Sequence, residues 1–224
     1  MAGRGAGIVQ RVLDGETVAY CSDAGMPGVS DPGLRLVRAA REAGAAVEVL
    51  PGPTAAATAY VASGCDNPRF YFGGFFPRKD AERAALLDGL RALDAALVFY
   101  ESPNRLASAL AALAAALPQR EAAVCRELTT LPEEVVRGPL PEVRDEFAER
   151  AGAGGRGVKG EIVIVVDGPN AAEGAAAAEG AQQAAAARAA ELKAAGARNK
   201  DIARALADEF GIARNAAYDL ALKA

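Results

Sequence analysis

Histidine and tryptophan are missing altogether from the 224 residues of this chain. Without histidine, a Ser-His-Asp triad, a Cys-His nucleophile and any imidazole-based metal site are excluded. A general base has to be Asp, Glu, Lys, Tyr or water. Cysteine is scarce as well. Cys21, Cys65 and Cys125 are widely spaced and odd in number, which is neither a disulfide framework nor a zinc spacing. Cys21 and Cys125 fall in apolar runs that read as strands, so buried structural thiols in a reducing cytoplasm are expected. No apolar run is long enough to span a bilayer and no targeting segment is recognised. The alanine runs near Ala111 and Ala184 are interrupted by polar residues and read as helices. The net charge is −4, so a global basic footprint for nucleic acid is lacking and any RNA contact has to come from local clusters. What remains is a chain that is 51% hydrophobic, long enough for one or two domains with a real core.

The most informative stretch is Ser22-Asp23-Ala24-Gly25-Met26-Pro27-Gly28-Val29-Ser30-Asp31-Pro32-Gly33. A short apolar run, Thr17 to Cys21, leads into it, and a helical pattern, Leu34 to Ala43, leaves it. Asp31 suits an N-cap and Pro32 the first helical position. Gly44 is placed to stop the helix. Glu48-Val49-Leu50 reads as a second strand. Strand, loop, helix and strand predict a right-handed crossover in a parallel sheet. Ligands bind such sheets outside the carboxyl ends of the strands, where this loop lies. Gly25, Gly28 and Gly33 permit close approach of backbone to a ligand. A tight turn with capping aspartates would use the same residues.

Upstream, Met1 to Ile8 is expected to be poorly ordered, and Val9 to Gly15 to end a helix. Downstream, Pro53 fits a helix start and Gly64 its stop. This is either a plain turn or a ligand wall made by the Thr54 hydroxyl and the Ala55 amide. Asp66-Asn67-Pro68 is turn chemistry and a domain boundary. Arg69 to Lys79 holds five of the twelve aromatic residues. It predicts a core strand, or a substrate platform with Arg78, Lys79 and Arg83 facing phosphates. Asp80 to Leu93 is helical in pattern, and Ala96 to Tyr100 is a buried strand. Glu101-Ser102-Pro103-Asn104-Arg105 then opens a helix to Leu117, with Ser102 as its cap. Glu101 and Arg105 either pair along that helix or serve as a base and a phosphate contact. Ala122 to Cys125 is a strand, followed by Arg126-Glu127-Leu128-Thr129-Thr130. A short strand, Glu133 to Val136, a helix, Pro141 to Arg150, and a loop, Ala151 to Gly157, come next. Lys159 to Val166 closes this part as a buried strand.

Asn170 to Ala190 is Ala/Gly-rich, a linker or a weak helix. In the tail, Asn199-Lys200-Asp201 can cap a helix bearing Ile202, Leu206 and Phe210. Gly211 ends that helix, and a second runs from Ile212 to Leu222, giving a helix-turn-helix-like bundle. Arg198, Lys200, Arg204 and Arg214 offer a nucleic-acid contact, but Asp208, Glu209 and Asp219 dilute their charge, which favours a packing appendage.

The glycine-rich stretch closely resembles the signature of the ribosomal RNA small subunit methyltransferase I family, a branch of the tetrapyrrole-methylase superfamily. So do Pro51-Gly52-Pro53-Thr54-Ala55-Ala56, Gly74-Phe75-Phe76-Pro77-Arg78-Lys79, Phe99-Tyr100-Glu101-Ser102-Pro103-Asn104-Arg105 and Lys159-Gly160-Glu161-Ile162-Val163. Arg126-Glu127-Leu128-Thr129-Thr130 matches with Thr130 where the family has Lys. The resemblance runs from about Val12 to Gly168. It implies a two-domain α/β fold: an incomplete amino-terminal parallel-sheet domain over 1–66 and a mixed-sheet α/β domain over 67–168. The Ala/Gly-rich linker over 169–190 and the helical domain over 191–224 would follow. The family's first strand and its Pro-Ile-Gly-Asn type loop are not found here, so the chain reads as an amino-terminally shortened member with an exposed sheet edge.

The resemblance also implies an activity: S-adenosylmethionine-dependent 2′-O-methylation of a cytidine in the decoding region of 16S rRNA, by a cytoplasmic homodimer acting on the small ribosomal subunit. Cofactor contacts would come from Ser22, Asp23, Gly25, Met26, Pro27, Thr54, Ala55, Tyr100, Leu128, Glu161 and Ile162. Lys79, Arg105 and Arg126 would hold RNA. The chemistry is in-line displacement at the methyl group by a ribose hydroxyl, helped by positioning and by a base. Glu101 is the first candidate base and Glu127 the second. No cluster resembles a metal site. Two rivals stand beside this reading: a methylase acting on a tetrapyrrole, and a non-catalytic chain that binds RNA or assists assembly. Activity on small-subunit RNA against a precorrin separates the first; cofactor binding separates the second.

Overall fold

Ile162-Val163-Ile164-Val165-Val166 is a run of β-branched residues, every one of them buried. Such a run fits a strand covered on both faces, and it forms the middle of a five-stranded sheet. The computed structural model describes residues 2–23, 25–152 and 158–224. It comprises two compact units, Met1–Gly168 and Pro169–Ala224. In the first, the strands are β1 (Phe70–Phe75), β2 (Ala96–Glu101), β3 (Glu121–Arg126), β4 (Glu134–Pro139) and β5 (Ile162–Val166). The helices are α1 (Ala2–Leu13), α2 (Leu34–Glu42), α3 (Ala55–Ser63), α4 (Asp80–Leu90), α5 (Leu106–Ala116) and α6 (Leu140–Gly152). The strand order is β1-β2-β5-β3-β4. Only β1 and β2 run parallel; β5 is antiparallel to β2 and β3, and β3 to β4.

Period-two alternation sorts the side chains onto two faces. Leu97, Phe99, Val124, Ile164 and Val166 face α4, α5 and α6, where Leu87, Leu110, Leu113, Val143 and Phe147 complete the main core. Val98, Ala123, Cys125, Val163 and Val165 face α3, whose Ala56 and Ala59 let it lie close on the sheet. Burial pushes the Cys125 thiol up to about 11, as befits an inert core residue. On the edge, the β1–β2 register shifts between Phe72 and Phe75. A Cβ on Gly73 would lie 2.4 Å from the Phe99 ring, and Gly74 has φ +68°. This bulge turns Phe75 outward, the kind of re-aiming that bulges provide.

Several expectations need correction. Thr17 to Cys21 and Glu48 to Leu50 are not strands. A strand exists only with a ladder partner, and among the described residues neither stretch has one. Tyr20, Val49, Leu50 and Cys21 are exposed as a result, so Cys21 is not a buried thiol. The parallel crossover that does occur joins β1 to β2 through α4. Residues 2–8, expected to lack order, belong to α1. Asp31 does not cap α2: Gly33 occupies the N-cap, with no side-chain cap bond. The Thr54 hydroxyl caps α3, accepting from the Ala57 amide at 3.1 Å. Ser102 precedes a 3₁₀ turn, Pro103–Arg105, and makes no cap bond; its hydroxyl instead accepts from Arg105 Nε at 3.2 Å. Gly44, Gly64 and Gly211 end their helices with positive φ, as expected. The expected loop Ala151 to Gly157 falls largely on 153–157, outside the described residues.

The second unit holds α7 (Ala171–Ala194), α8 (Asn199–Phe210) and α9 (Arg214–Lys223). Residues 171–190 are therefore helix rather than linker. Asn170 and Glu173 form a capping box. Ala185 and Ala189 are buried against Ile202, Leu206, Ala217 and Ala221, and that packing, not propensity, holds an alanine-rich helix in place. The cap expected from Asn199-Lys200-Asp201 is replaced by Arg198 at the N-cap. No helix among the described residues is long and apolar enough to cross a membrane.

Candidate functional site

The last residues of β2 and β3 and the first of β5 form one row: Glu101 of β2 pairs with Ile162 of β5, which pairs with Arg126 of β3. Above this row lies a cleft of about 460 Å³, within the usual range for small-molecule sites. The glycine-rich loop supplies one wall through Asp23, Gly25, Met26, Val29, Ser30 and Asp31. Thr54 and Ala55 at the start of α3, and Phe75 at the end of β1, supply another. Tyr100, Glu101, Ser102 and Pro103, and beside them Gly160 and Glu161 with Ile162 and Val163 of the adjoining strand, complete the lining.

The lining is acidic. Asp23, Asp31, Glu101 and Glu161 contribute carboxylates, and among the described residues no Lys or Arg lines the cleft. Burial holds the Tyr100 phenol above its usual range, and the Asp31 and Glu161 charges act the same way. It is therefore a neutral hydroxyl at neutral pH. It accepts from the Ala56 amide at 3.3 Å and sits under Phe75, 5.6 Å away edge to face. Thr54 and Tyr100 thus take up two first-turn amides of α3. Ala55, at the helix's first position, lines the cleft beside them.

Glu101 has a side-chain exposure of 0%. Its Oε1 accepts from the Ser102 amide at 2.6 Å and pairs with the Arg105 guanidinium. Glu101 Oε2 and Arg105 Nη1 are both buried and lack a partner among the described residues. A buried ion pair with one open acceptor and one open donor is costly unless something completes it.

Of the cofactor candidates, Asp23, Gly25, Met26, Thr54, Ala55, Tyr100, Glu161 and Ile162 come together in the lining. Ser22, Pro27 and Leu128 do not line it. The Ser22 hydroxyl donates to the Gly25 carbonyl at 3.0 Å and shapes the loop; Leu128 packs under α3. Glu127 is outside the lining too, with its carboxylate taken up by backbone. The cations expected to face phosphate differ among themselves. Arg105 is turned onto Glu101. Arg126 donates to Glu134 at 2.8 Å and to the Lys159 carbonyl at 3.4 Å. Arg83 is buried, donates to the Pro77 carbonyl at 2.8 Å and lies over the Phe76 ring. It is a core residue and not a phosphate contact. Lys79 is exposed and pairs with Glu82, at 2.9 Å, and Arg78 is exposed.

Sequence reasoning missed Phe75, Asp31 and Gly160 as lining residues. Phe75 lay inside the aromatic segment, but only the bulge at Gly73-Gly74 separates it from its packed neighbours. Asp31 had a local role available, as a cap, that hid a tertiary one. Gly160 had a signal, a glycine wedged between two charged residues at a strand start.

A family model for tetrapyrrole (corrin/porphyrin) methylases matches residues 5–144. The chain is 46% identical over 155 residues to the ribosomal RNA small subunit methyltransferase I of Micromonospora olivasterospora, covering 69% of this chain and 48% of that protein. It is 42% identical over 218 residues to the ribosomal RNA small subunit methyltransferase I of Mycobacterium tuberculosis, covering 96% and 72%. The chain thus spans about half the length of the first relative. Among solved structures, the methyltransferase CobJ matches with a TM-score of 0.54 at 21% identity, over 74% of this chain and 70% of that one. Diphthine synthase matches with a TM-score of 0.54 at 15% identity, over 74% and 65%. These two share the fold. The chain belongs to the tetrapyrrole methylases and to the ribosomal RNA small subunit methyltransferase I family.

Proposed function

We propose that this chain uses S-adenosylmethionine to methylate a ribose 2′-hydroxyl of a cytidine in the decoding region of 16S rRNA. The observation that carries the reading is the charge of the cleft: four carboxylates, two aromatic rings and no cation among the described lining residues. A phosphorylated cofactor would be repelled there. A sulfonium that also bears an ammonium group is attracted by the carboxylates, and ring faces favour cations. That cofactor supplies an activated methyl group. Asp23, Gly25, Met26 and the start of α3 would hold it on one side, and Tyr100, Glu161 and Ile162 on the other.

Glu101 is the proposed base. Its Oε2, without a partner among the described residues, is the proposed acceptor for the hydroxyl proton once substrate binding uncovers it. Lys79 is the proposed RNA phosphate contact, because an exposed pair with Glu82 is worth little and exchanges readily. Arg105 and Arg126 are already engaged and act by holding the strand ends that carry the site. The proposed working form is a cytoplasmic homodimer, with lobes 1–66 and 67–168 flanking the cleft and the small ribosomal subunit as partner.

The test is methyl transfer from labelled donor to small ribosomal subunits. A 2′-O-methyl group removes the hydroxyl that attacks the neighbouring phosphate in alkali. Label is expected in an alkali-resistant dinucleotide containing cytidine. Label in a precorrin and none in RNA would contradict the reading.

A further inference from the structure

The loop from β3 to β4 is held in an unusual way. Glu127 and Thr129 both have positive φ, +53° and +64°, a conformation that costs non-glycine residues about 1 kcal/mol or more and persists only when surroundings over-determine it. The surroundings here are specific. The Glu127 amide donates to the Glu161 carbonyl at 3.0 Å. The Glu161 amide donates back to Glu127 Oε1 at 2.7 Å. The Thr130 hydroxyl lies 3.0 Å from Glu127 Oε2, and the Thr129 amide donates to Glu133 at 2.6 Å. Gly160 makes the approach possible: a Cβ there would lie 2.2 Å from Glu127 Oε1, and its φ is +93°. Gly160 and Glu161 are themselves cleft lining. A carboxylate that accepts a backbone amide and faces a hydroxyl sits below the usual Glu range, which suits an anchor better than a proton acceptor.

We infer that Glu127 is a positioning residue whose carboxylate clasps the Gly160–Glu161 backbone and so sets the β5 wall of the cleft. Affinity for the methyl donor depends on it, and the chemical step does not. The inference rests on the cleft being the donor site, as proposed above. It separates Glu127, just past the end of β3, from Glu101, the last residue of β2.

The test compares Glu127→Gln, Glu127→Ala and Gly160→Ala with the unaltered chain. Glutamine keeps an oxygen for the Glu161 amide; alanine does not, and a methyl at Gly160 evicts the carboxylate. In Glu127→Ala and Gly160→Ala, amide hydrogen exchange at Glu161 is expected to quicken, with the KM for S-adenosylmethionine raised about tenfold, the loss of one charge-assisted hydrogen bond. In Glu127→Ala the kcat at saturating donor and its pH profile stay as in the unaltered chain. Glu127→Gln retains near-normal values of all three. A fall in kcat at saturating donor in Glu127→Gln and Glu127→Ala alike would make Glu127 a base and overturn the inference. Unchanged Glu161 exchange in Glu127→Ala would overturn it as well. Exchange needs no ligand, so an unaltered chain that fails to bind the donor defeats the reading of the cleft, while the clasp stands or falls on exchange alone.

Discussion

Glu101→Gln is expected to slow methyl transfer by roughly a hundred- to ten-thousand-fold, the usual contribution of a positioned acid or base, while S-adenosylmethionine binds as before. The substitution is isosteric. Oxygen can still accept from the Ser102 amide and from Arg105, as Glu101 Oε1 does now. What changes is the other position, where an acceptor, Oε2, becomes a donor. That is the atom left without a partner among the described residues, so the proton acceptor is lost while the hydrogen bonds of Oε1 are kept. Single-turnover rates with small ribosomal subunits, beside calorimetry with the donor, separate the two effects. Unchanged turnover would reduce Glu101 to half of a structural ion pair that ties β2 to the turn after it.

Arg105→Ala is expected to cost about 3 kcal/mol of folding stability, the lower end for removing one partner of a buried pair. Glu101 is fully enclosed, whereas Arg105 keeps 23% of its side chain exposed. Removing the guanidinium therefore leaves the more deeply buried charge unpaired. Ser102 also loses the donor that its hydroxyl accepts from. In a chain of this length each kcal/mol moves Tm by about 2–4 °C, so a drop on the order of 8 °C is expected. The double variant Glu101→Gln with Arg105→Ala should regain part of the loss, because neighbouring partners do not add. A single variant that melts within a degree of the unaltered chain would show that the pair contributes nothing to the fold.

From Phe70 to Val166 most elements were legible in the residues. The apolar runs at Ala96, Ala122 and Ile162 had the length and composition of buried strands, and helices lay between them. The spacing of Glu101 and Arg105 offered a pair one turn apart as one of two readings, and the pair is there. The misses share a physical cause: the deciding partner lies far away in the chain. Thr17 to Cys21 has strand composition, but pairing is not a local property. Residues 171–190 have the composition of a flexible linker and of a helix alike; burial against Ile202 and Ala217 decides between them. Arg83 is chemically equivalent to Arg78 in sequence, yet it stacks on Phe76 and leaves solvent. Glu127 could be named as important but not understood, because the amide it clasps is at Glu161, 34 positions on.

At the centre of the account stands an acidic cleft that takes a cationic methyl donor. The most direct test is calorimetric titration of this folded chain with S-adenosylmethionine at low and at high salt. The account predicts micromolar binding that weakens as salt screens Asp23, Asp31 and Glu161. A folded chain that releases no heat, or binding indifferent to salt and to neutralising Asp31 and Glu161, would contradict it.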